Sequence, residues 1–193
     1  MNRAPSLSRP AAGFVLLLAL LAGSPASAEL NPGDAAPGFE ADATLGGQPF
    51  RFVLADAMRK GPVVLYFYPK AFTQGCTIEA NAFAEAMPQY ASLNATVIGI
   101  SRDDIDTLNR FSVTECRSRF AVASDPDAKI MKSYDATMPF LNSYAKRVSY
   151  VISPQGRIID AWSSMNPEQH VPNTLSALRR WADEQQKQPT PGG

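Results

Sequence analysis

The chain has 193 residues, with 18 Lys or Arg, 18 Asp or Glu and a single His, so its formal net charge is zero. That length suits one domain with a sizeable core, and the ordinary apolar content excludes extended disorder. A near-neutral chain without a Lys/Arg cluster offers no electrostatic footprint for nucleic acid.

Residues 1–28 read as a secretory signal. Arg3 and Arg9 precede the apolar run Ala11 to Ala22, and Ala26-Ser27-Ala28 supplies small residues for cleavage. The run is about twelve residues, short of the ~20 a spanning helix needs. It contains no Cys for lipid attachment and no Arg-Arg pair before it. The expectation is an exported, periplasmic protein cleaved after Ala28, with one domain over 29–193 and no membrane attachment. An uncleaved anchor or a frayed N-terminus is the alternative. Losing Arg3 and Arg9 from the 18 basic residues leaves 16 against 18 acids.

Asn31 to Gly38 is Pro/Gly-rich and reads as an extended lead-in. Phe39 to Thr44 and Gln48 to Phe52 flank Gly46-Gly47, a hairpin signal. Pro62 to Tyr68 is a continuous apolar run that fits a buried central strand. Cys76 to Tyr90 predicts a helix with Ile78, Ala82, Phe83 and Ala86 on one face, kinked or ended by Pro88. Thr96 to Ile100 is a second buried strand. Asp103 to Glu115 predicts a helix with Ile105, Leu108 and Phe111 on one face and acids in its first turn. Phe120 to Ala123 predicts a short strand and Asp127 to Tyr134 a short helix. Arg147 to Ser153 and Arg157 to Trp162 are strands joined by Pro154-Gln155-Gly156. Val171, Leu175, Leu178 and Ala182 mark a last amphipathic helix, with Pro172 in its first turn. Gln185 to Gly193 is a polar tail. This alternation implies one three-layer α/β domain with a mixed sheet.

Cys76 carries the strongest chemical signal. An apolar strand ends at Pro69, and the Cys lands where a helix begins, so free N–H groups and the helix dipole favour a thiolate there. The segment Pro69-x-x-x-Thr73-x-x-Cys76, within YFYPKAFTQGCTIE, resembles the active-site signature of peroxiredoxins. The longer run is most similar to the bacterioferritin-comigratory, or PrxQ, branch. Ile98 to Ser101, Ser124-Asp125, and Arg147 to Ile152 followed by Gly156 match that branch in order, so the resemblance spans about Asn31 to Trp181.

The resemblance implies a thioredoxin-like fold and reduction of hydrogen peroxide or organic hydroperoxides. It casts Cys76 as the peroxidatic thiol, with Thr73 bonding sulfur and peroxide, Pro69 shielding the thiolate and Arg147 beside it. Nearby backbone N–H groups would bind the developing charge. The physics agrees with this division. A free thiol titrates near ~8.5, and lowering that by about two units takes roughly 3 kcal/mol. A helix N-terminus supplies ~0.3–1 kcal/mol, at best ~2, so a cation must supply the rest. Arg suits the task, because it stays charged and donates from a fixed fork. Taken alone, Thr73 equally reads as a helix cap and Arg147 as a surface or ion-paired residue.

A sulfenic acid at Cys76 condenses with a second thiol in reach. Many members of the branch carry that thiol five residues on, where this chain has Asn81. Cys116 is the remaining candidate, and some members place the resolving thiol one helix later. The alternatives are a static disulfide, or an inert Cys116 with a partner thiol supplied in trans. A Cys76–Cys116 bond needs Cα atoms within ~7 Å, so helix ends around Cys76 and Thr114 to Ser118 are expected to unwind on oxidation. Thioredoxin or a periplasmic dithiol protein would regenerate the pair.

Other residues carry weaker signals. His170 reads as a helix-start or surface residue rather than a base. Trp162, Trp181 and Tyr66-Phe67-Tyr68 read as core. Glu79 either supports the active loop, as the resemblance implies, or is a first-turn acid favoured by the dipole. No metal spacing or phosphate loop appears, so no cofactor is expected. The branch is often monomeric, and a monomer is expected. Two other functions fit a thiol on this fold: a periplasmic thiol–disulfide oxidoreductase, although Thr77-Ile78-Glu79 lacks the second Cys of C-x-x-C, and a non-catalytic module with a structural disulfide.

Overall fold

The computed structural model describes Met1 and residues 29–187. The signal sequence expected at 1–28 and the end of the tail lie outside the described residues. Strand β1 (Glu40–Leu45) turns at Gly46-Gly47 into β2 (Gln48–Val53), with Leu45 paired to Gln48. Both glycines have positive φ, 58° and 76°, the conformation a two-residue hairpin turn requires.

A seven-stranded mixed sheet forms the centre. Its middle strand is β3 (Val63–Phe67), wholly buried, with β4 (Thr96–Ser101) parallel on one side and β8 (Val148–Ile152) antiparallel on the other. Strand β5 (Ala121–Ser124) runs parallel to β4 and links it to the hairpin, and β9 (Ile158–Ser163) closes the far edge. Because successive strand residues point to opposite faces, Val63, Leu65 and Phe67 join one core. Val64, Tyr66 and Tyr68 join the other. The first core is covered by short α1 (Leu54–Met58) and α4 (Lys129–Ser133). The second is covered by α2 (Gln74–Ser92), α3 (Ile105–Thr114) and α5 (His170–Lys187). The result is the three-layer mixed α/β arrangement the alternation implied.

Four details differ from the sequence reading. Helix α2 does not end at Pro88 but runs on to Ser92. A proline inside a helix costs ~3 kcal/mol. Buried Tyr90 lies beyond it, stacked on Phe83 and hydrogen-bonded to Thr174 at 2.7 Å, so packing carries the helix through. The buried face of α2 also has a different phase: Cys76, Glu79, Ala80, Phe83 and Tyr90 face inward, while Ile78 is exposed. Trp162 and Trp181 are only partly buried, at the rim of the core. A small antiparallel pair, β6 (Thr137–Met138) and β7 (Leu141–Ala145), occupies the stretch before Arg147, where no element was expected.

Candidate active site

Register places Arg147. Antiparallel pairing of Phe67 with Val148 sets Arg147 opposite Tyr68, where β3 gives way to the loop before α2. Val148, Tyr150 and Ile152 face the α1/α4 core, and Val151 faces the α2/α3/α5 core. Alternation therefore turns Arg147 and Ser149 toward α2 and α5. The loop itself is pinned from β4: the Ala71 N–H donates to Asp103 Oδ2 at 2.8 Å, and the Ser101 hydroxyl donates to the same oxygen at 2.8 Å. Phe72 takes a left-handed φ of 63°, a conformation that costs roughly 1–2 kcal/mol without glycine. Its ring stands edge-on to Phe111 at 5.2 Å. Thr73 then turns extended, its carbonyl accepts from the Thr77 N–H at 2.9 Å, and α2 begins.

Cys76 is the third residue of α2 and 1% exposed. Arg147 Nη2 donates to its sulfur at 3.4 Å, while Nη1 donates to Glu79 Oε2. One buried guanidinium thus spans the sulfur and the carboxyl. Burial works against the Arg147 charge, but Glu79 and Cys76 outweigh it and hold the guanidinium above its ordinary value. Burial pushes the Glu79 carboxyl up to about 8, against the lowering influence of Arg147. Glu79 Oε1 has no hydrogen-bond partner, and His170 Nδ1 lies 3.7 Å from it. Glu79 is the sixth residue of the helix and wholly buried, so it is not a first-turn acid.

The remaining expected residues fall as follows. Thr73 stands at the N-cap position, but its exposed hydroxyl donates to the Lys70 carbonyl at 2.9 Å. It neither bonds the sulfur nor caps the helix with its side chain. Pro69 is partly buried and lines a cavity of about 250 Å³ with Lys70, Arg102, Asp103 and Tyr144. A second cavity of about 430 Å³ reaches Arg147 and has Met138, Pro139 and Met165 in its wall. A third, of about 470 Å³ near Phe50, Phe52 and Phe120, includes none of these site residues.

Cys116 follows α3, is buried, and forms no disulfide with Cys76. Burial, then the neighbouring Glu115, push its thiol well up. Its segment is tied to α2 twice: Asn81 Nδ2 donates to Glu115 Oε2 at 3.3 Å, and Arg117 Nη1 donates to Glu85 Oε1 at 3.1 Å.

Two residues gain weight that the sequence did not assign them. Asp103 holds the active loop. His170 starts α5 but is not a surface residue: it is wholly buried, between Ser149 Oγ at 2.8 Å and the Ser164 carbonyl at 2.8 Å. The available signal was its phase, since His170, Thr174 and Leu178 recur every fourth residue and all face inward. Among the described residues no group of three His, Cys, Asp or Glu side chains is placed to hold a metal ion.

Comparison with known proteins identifies the family. The AhpC/TSA family matches residues 32–161. The chain is 30% identical to peroxiredoxin Bcp of Xanthomonas campestris over 126 residues, covering 62% of this chain and 78% of that protein. It is 31% identical to chloroplastic peroxiredoxin Q of Populus jackii over 153 residues, covering 79% and 70%. The crystal structure of peroxidoxin BcpB from Mycobacterium tuberculosis superposes with a TM-score of 0.71 at 28% identity, covering 78% of this chain and 97% of that one. A PrxQ mutant from Xylella fastidiosa does so with a TM-score of 0.71 at 28% identity, covering 81% and 99%. With its thiol at a helix start beneath a buried guanidinium, the chain belongs to the AhpC/TSA family and is a thiol peroxidase of the Bcp/PrxQ-like peroxiredoxin branch.

Proposed function

We propose that this peroxiredoxin is an exported, two-thiol peroxidase. Cys76 attacks hydrogen peroxide or an organic hydroperoxide, Cys116 resolves the sulfenic acid, and a thioredoxin-like dithiol protein restores both thiols. The observation that carries the reading is the 3.4 Å contact from Arg147 Nη2 to Cys76 Sγ, both buried. A guanidinium there favours the thiolate over the thiol and offers charged donors to a bound oxygen.

In the first step the Cys76 thiolate forms an S–O bond to one peroxide oxygen, and the O–O bond breaks. The electron pair leaves on the other oxygen as hydroxide or alkoxide, which takes a proton to become water or alcohol. Charge grows on that leaving oxygen, so a fixed cation beside it lowers the barrier. Cys116 then attacks the sulfenic sulfur, the disulfide forms, and water departs. The dithiol reductant opens the disulfide by exchange and is itself oxidised.

The two ties from α2 to the Cys116 segment support this pairing. They anchor the segment at Asn81 and Glu85, which lie ~7.5 and ~13.5 Å along the helix from Cys76 at 1.5 Å per residue. A thiol pushed up by burial does not ionise in the closed arrangement, so the end of α3 has to open before Cys116 reacts. Arg117 and Ser118 favour that opening, since both hold left-handed φ values, 50° and 53°, and each such residue stores ~1–3 kcal/mol. Export rests on the features of residues 1–28.

The test is peroxide consumption with thioredoxin and its reductase, comparing wild type, Cys76→Ser and Cys116→Ser. Cys76→Ser should abolish turnover. Cys116→Ser should keep one stoichiometric oxidation and lose sustained cycling. Undiminished thioredoxin-linked cycling in Cys116→Ser would refute the resolving role.

A further inference from the structure

We propose that the turn of the first hairpin is a latch on the resolving thiol, and that Ser112 is the positioning residue through which it acts: its bond to Gly46 holds the Cys116 segment away from Cys76 until the end of α3 opens. The inference deepens the two-thiol reading and rests on it.

The turn grips the segment on both sides of Cys116. Before Cys116, the Gly46 N–H donates to Ser112 Oγ at 2.8 Å, and Ser112 is wholly buried. After it, the Ser118 N–H donates to the Ser112 carbonyl at 2.9 Å, which folds the chain back onto the same turn. A Cβ on Gly46 would stand 3.1 Å from both Cβ and Oγ of Ser118, and one on Gly47 would stand 3.1 Å from Val113 Cγ2. Two residues without side chains therefore let α3 and the loop after it lie directly on the hairpin. The Gly46 N–H is outside the β1–β2 ladder, whose last pair is Leu45 with Gln48. Ser112 supplies the acceptor that this N–H would otherwise have to find in water.

The sheet order gives the latch its direction. Strands β5 and β4 separate β1 from β3, so the two lie three spacings of ~4.8 Å apart, about 14 Å in all. Cys76 follows β3 on α2. The bonds from Asn81 and Glu85 hold the segment toward the helix of Cys76, whereas the bond from Gly46 holds it toward the edge of the sheet. Arg117 and Ser118 keep left-handed φ values while the segment is closed, so releasing the turn also releases backbone strain.

The readout is alkylation of Cys116 by iodoacetamide in the reduced full chain carrying Cys76→Ser. Cys116 is wholly buried, so it reacts only after its segment opens, and the rate reports the opening equilibrium. Ser112→Ala removes the acceptor and should speed alkylation by about fivefold, the worth of one net hydrogen bond. Ser112→Thr keeps the hydroxyl and should stay within about twofold of wild type. Ile158→Val trims the opposite core by one methyl and lowers global stability by a comparable amount. It should also stay within about twofold, because the opening is local. In the chain with both thiols, disulfide formation after one equivalent of peroxide should quicken by about fivefold in Ser112→Ala.

A second measurement needs no substitution at Ser112. In the wild-type disulfide form the Gly46 amide should lose its exchange protection while the β1–β2 ladder keeps its own. Unchanged alkylation in Ser112→Ala, an equal gain in Ser112→Thr or Ile158→Val, or a Gly46 amide still protected in the disulfide form overturns the proposal. Absence of any Cys76–Cys116 disulfide in oxidised wild type would instead mark failure of the resolving reading. The alkylation series needs no peroxide, so it decides the latch separately.

Discussion

Gly75 and Arg147 share one space: a Cβ on Gly75 would stand 3.0 Å from Arg147 Nη2. The guanidinium reaches the Cys76 sulfur by passing over the one residue of the helix turn that has no side chain. Gly75→Ala should push the fork away by a few tenths of an ångström without unfolding the helix, because the obstructing atom ends a flexible side chain. The peroxide rate constant, measured by stopped flow, should fall by about tenfold or more, since small displacements of a positioned group are costly. A wild-type rate in Gly75→Ala would contradict this view of the contact.

Arg147→Lys keeps the charge but not the fork. A lysine cannot bond Cys76 and Glu79 at once from a planar group. Peroxide reactivity should drop by roughly 10²-fold, the scale seen when one preorganised donor is removed. Reactivity within a fewfold of wild type would show that charge alone suffices.

Stability should depend on pH through Glu79 and His170, with opposite signs. Glu79 holds its proton up to about pH 8 when folded and to 4.5 in the ordinary state. Between those values the folded state binds more protons, so stability falls as pH rises, and the contribution is gone above about 8. His170 is held below its ordinary 6.5, so the unfolded state binds more protons there and stability falls as pH decreases below that value. Above pH 6.5 only the Glu79 limb remains. Urea unfolding of reduced wild type should lose stability from there to pH 8, by at most ~1.4 kcal/mol per unit. Glu79→Gln should flatten that decline, and parallel curves for the two proteins would exclude the assignment.

Oxidation should open two segments together. Hydrogen exchange after one equivalent of peroxide should rise in residues 74–78 and 112–118, with a Cys76–Cys116 disulfide in the peptide map. Unchanged protection in both segments would rule out a local unwinding step.

Asp103→Ala should loosen the active loop from outside it. Losing the acceptor of the Ala71 N–H leaves a part-buried donor unpaired, at ~1–3 kcal/mol. The peroxide rate should fall several-fold while the secondary structure, read by circular dichroism, is kept. An unaltered rate would show that the loop needs no anchor at Asp103.

Most of the architecture was legible because periodicity is a local property. The hairpin at Gly46-Gly47, the buried strand before Pro69 and the helix after Cys76 each follow from spacing along a few residues. Cys76 at a helix start pointed to thiol chemistry, and Pro69, Thr73 and Arg147 joined it through the resemblance to a known active-site signature. What only tertiary structure decided is how the helix is turned and what meets across the sheet. The apolar residues of α2 suggested that Ile78 faces inward, whereas packing turned Cys76 and Glu79 to the core. The register between β3 and β8 then brought Arg147 beneath both, and α5 delivered His170 to a carboxyl ninety-one residues earlier in sequence. Local sequence carries propensity and period, but a buried charge is tolerated only where several distant groups compensate one another, and that compensation exists only once the chain is folded.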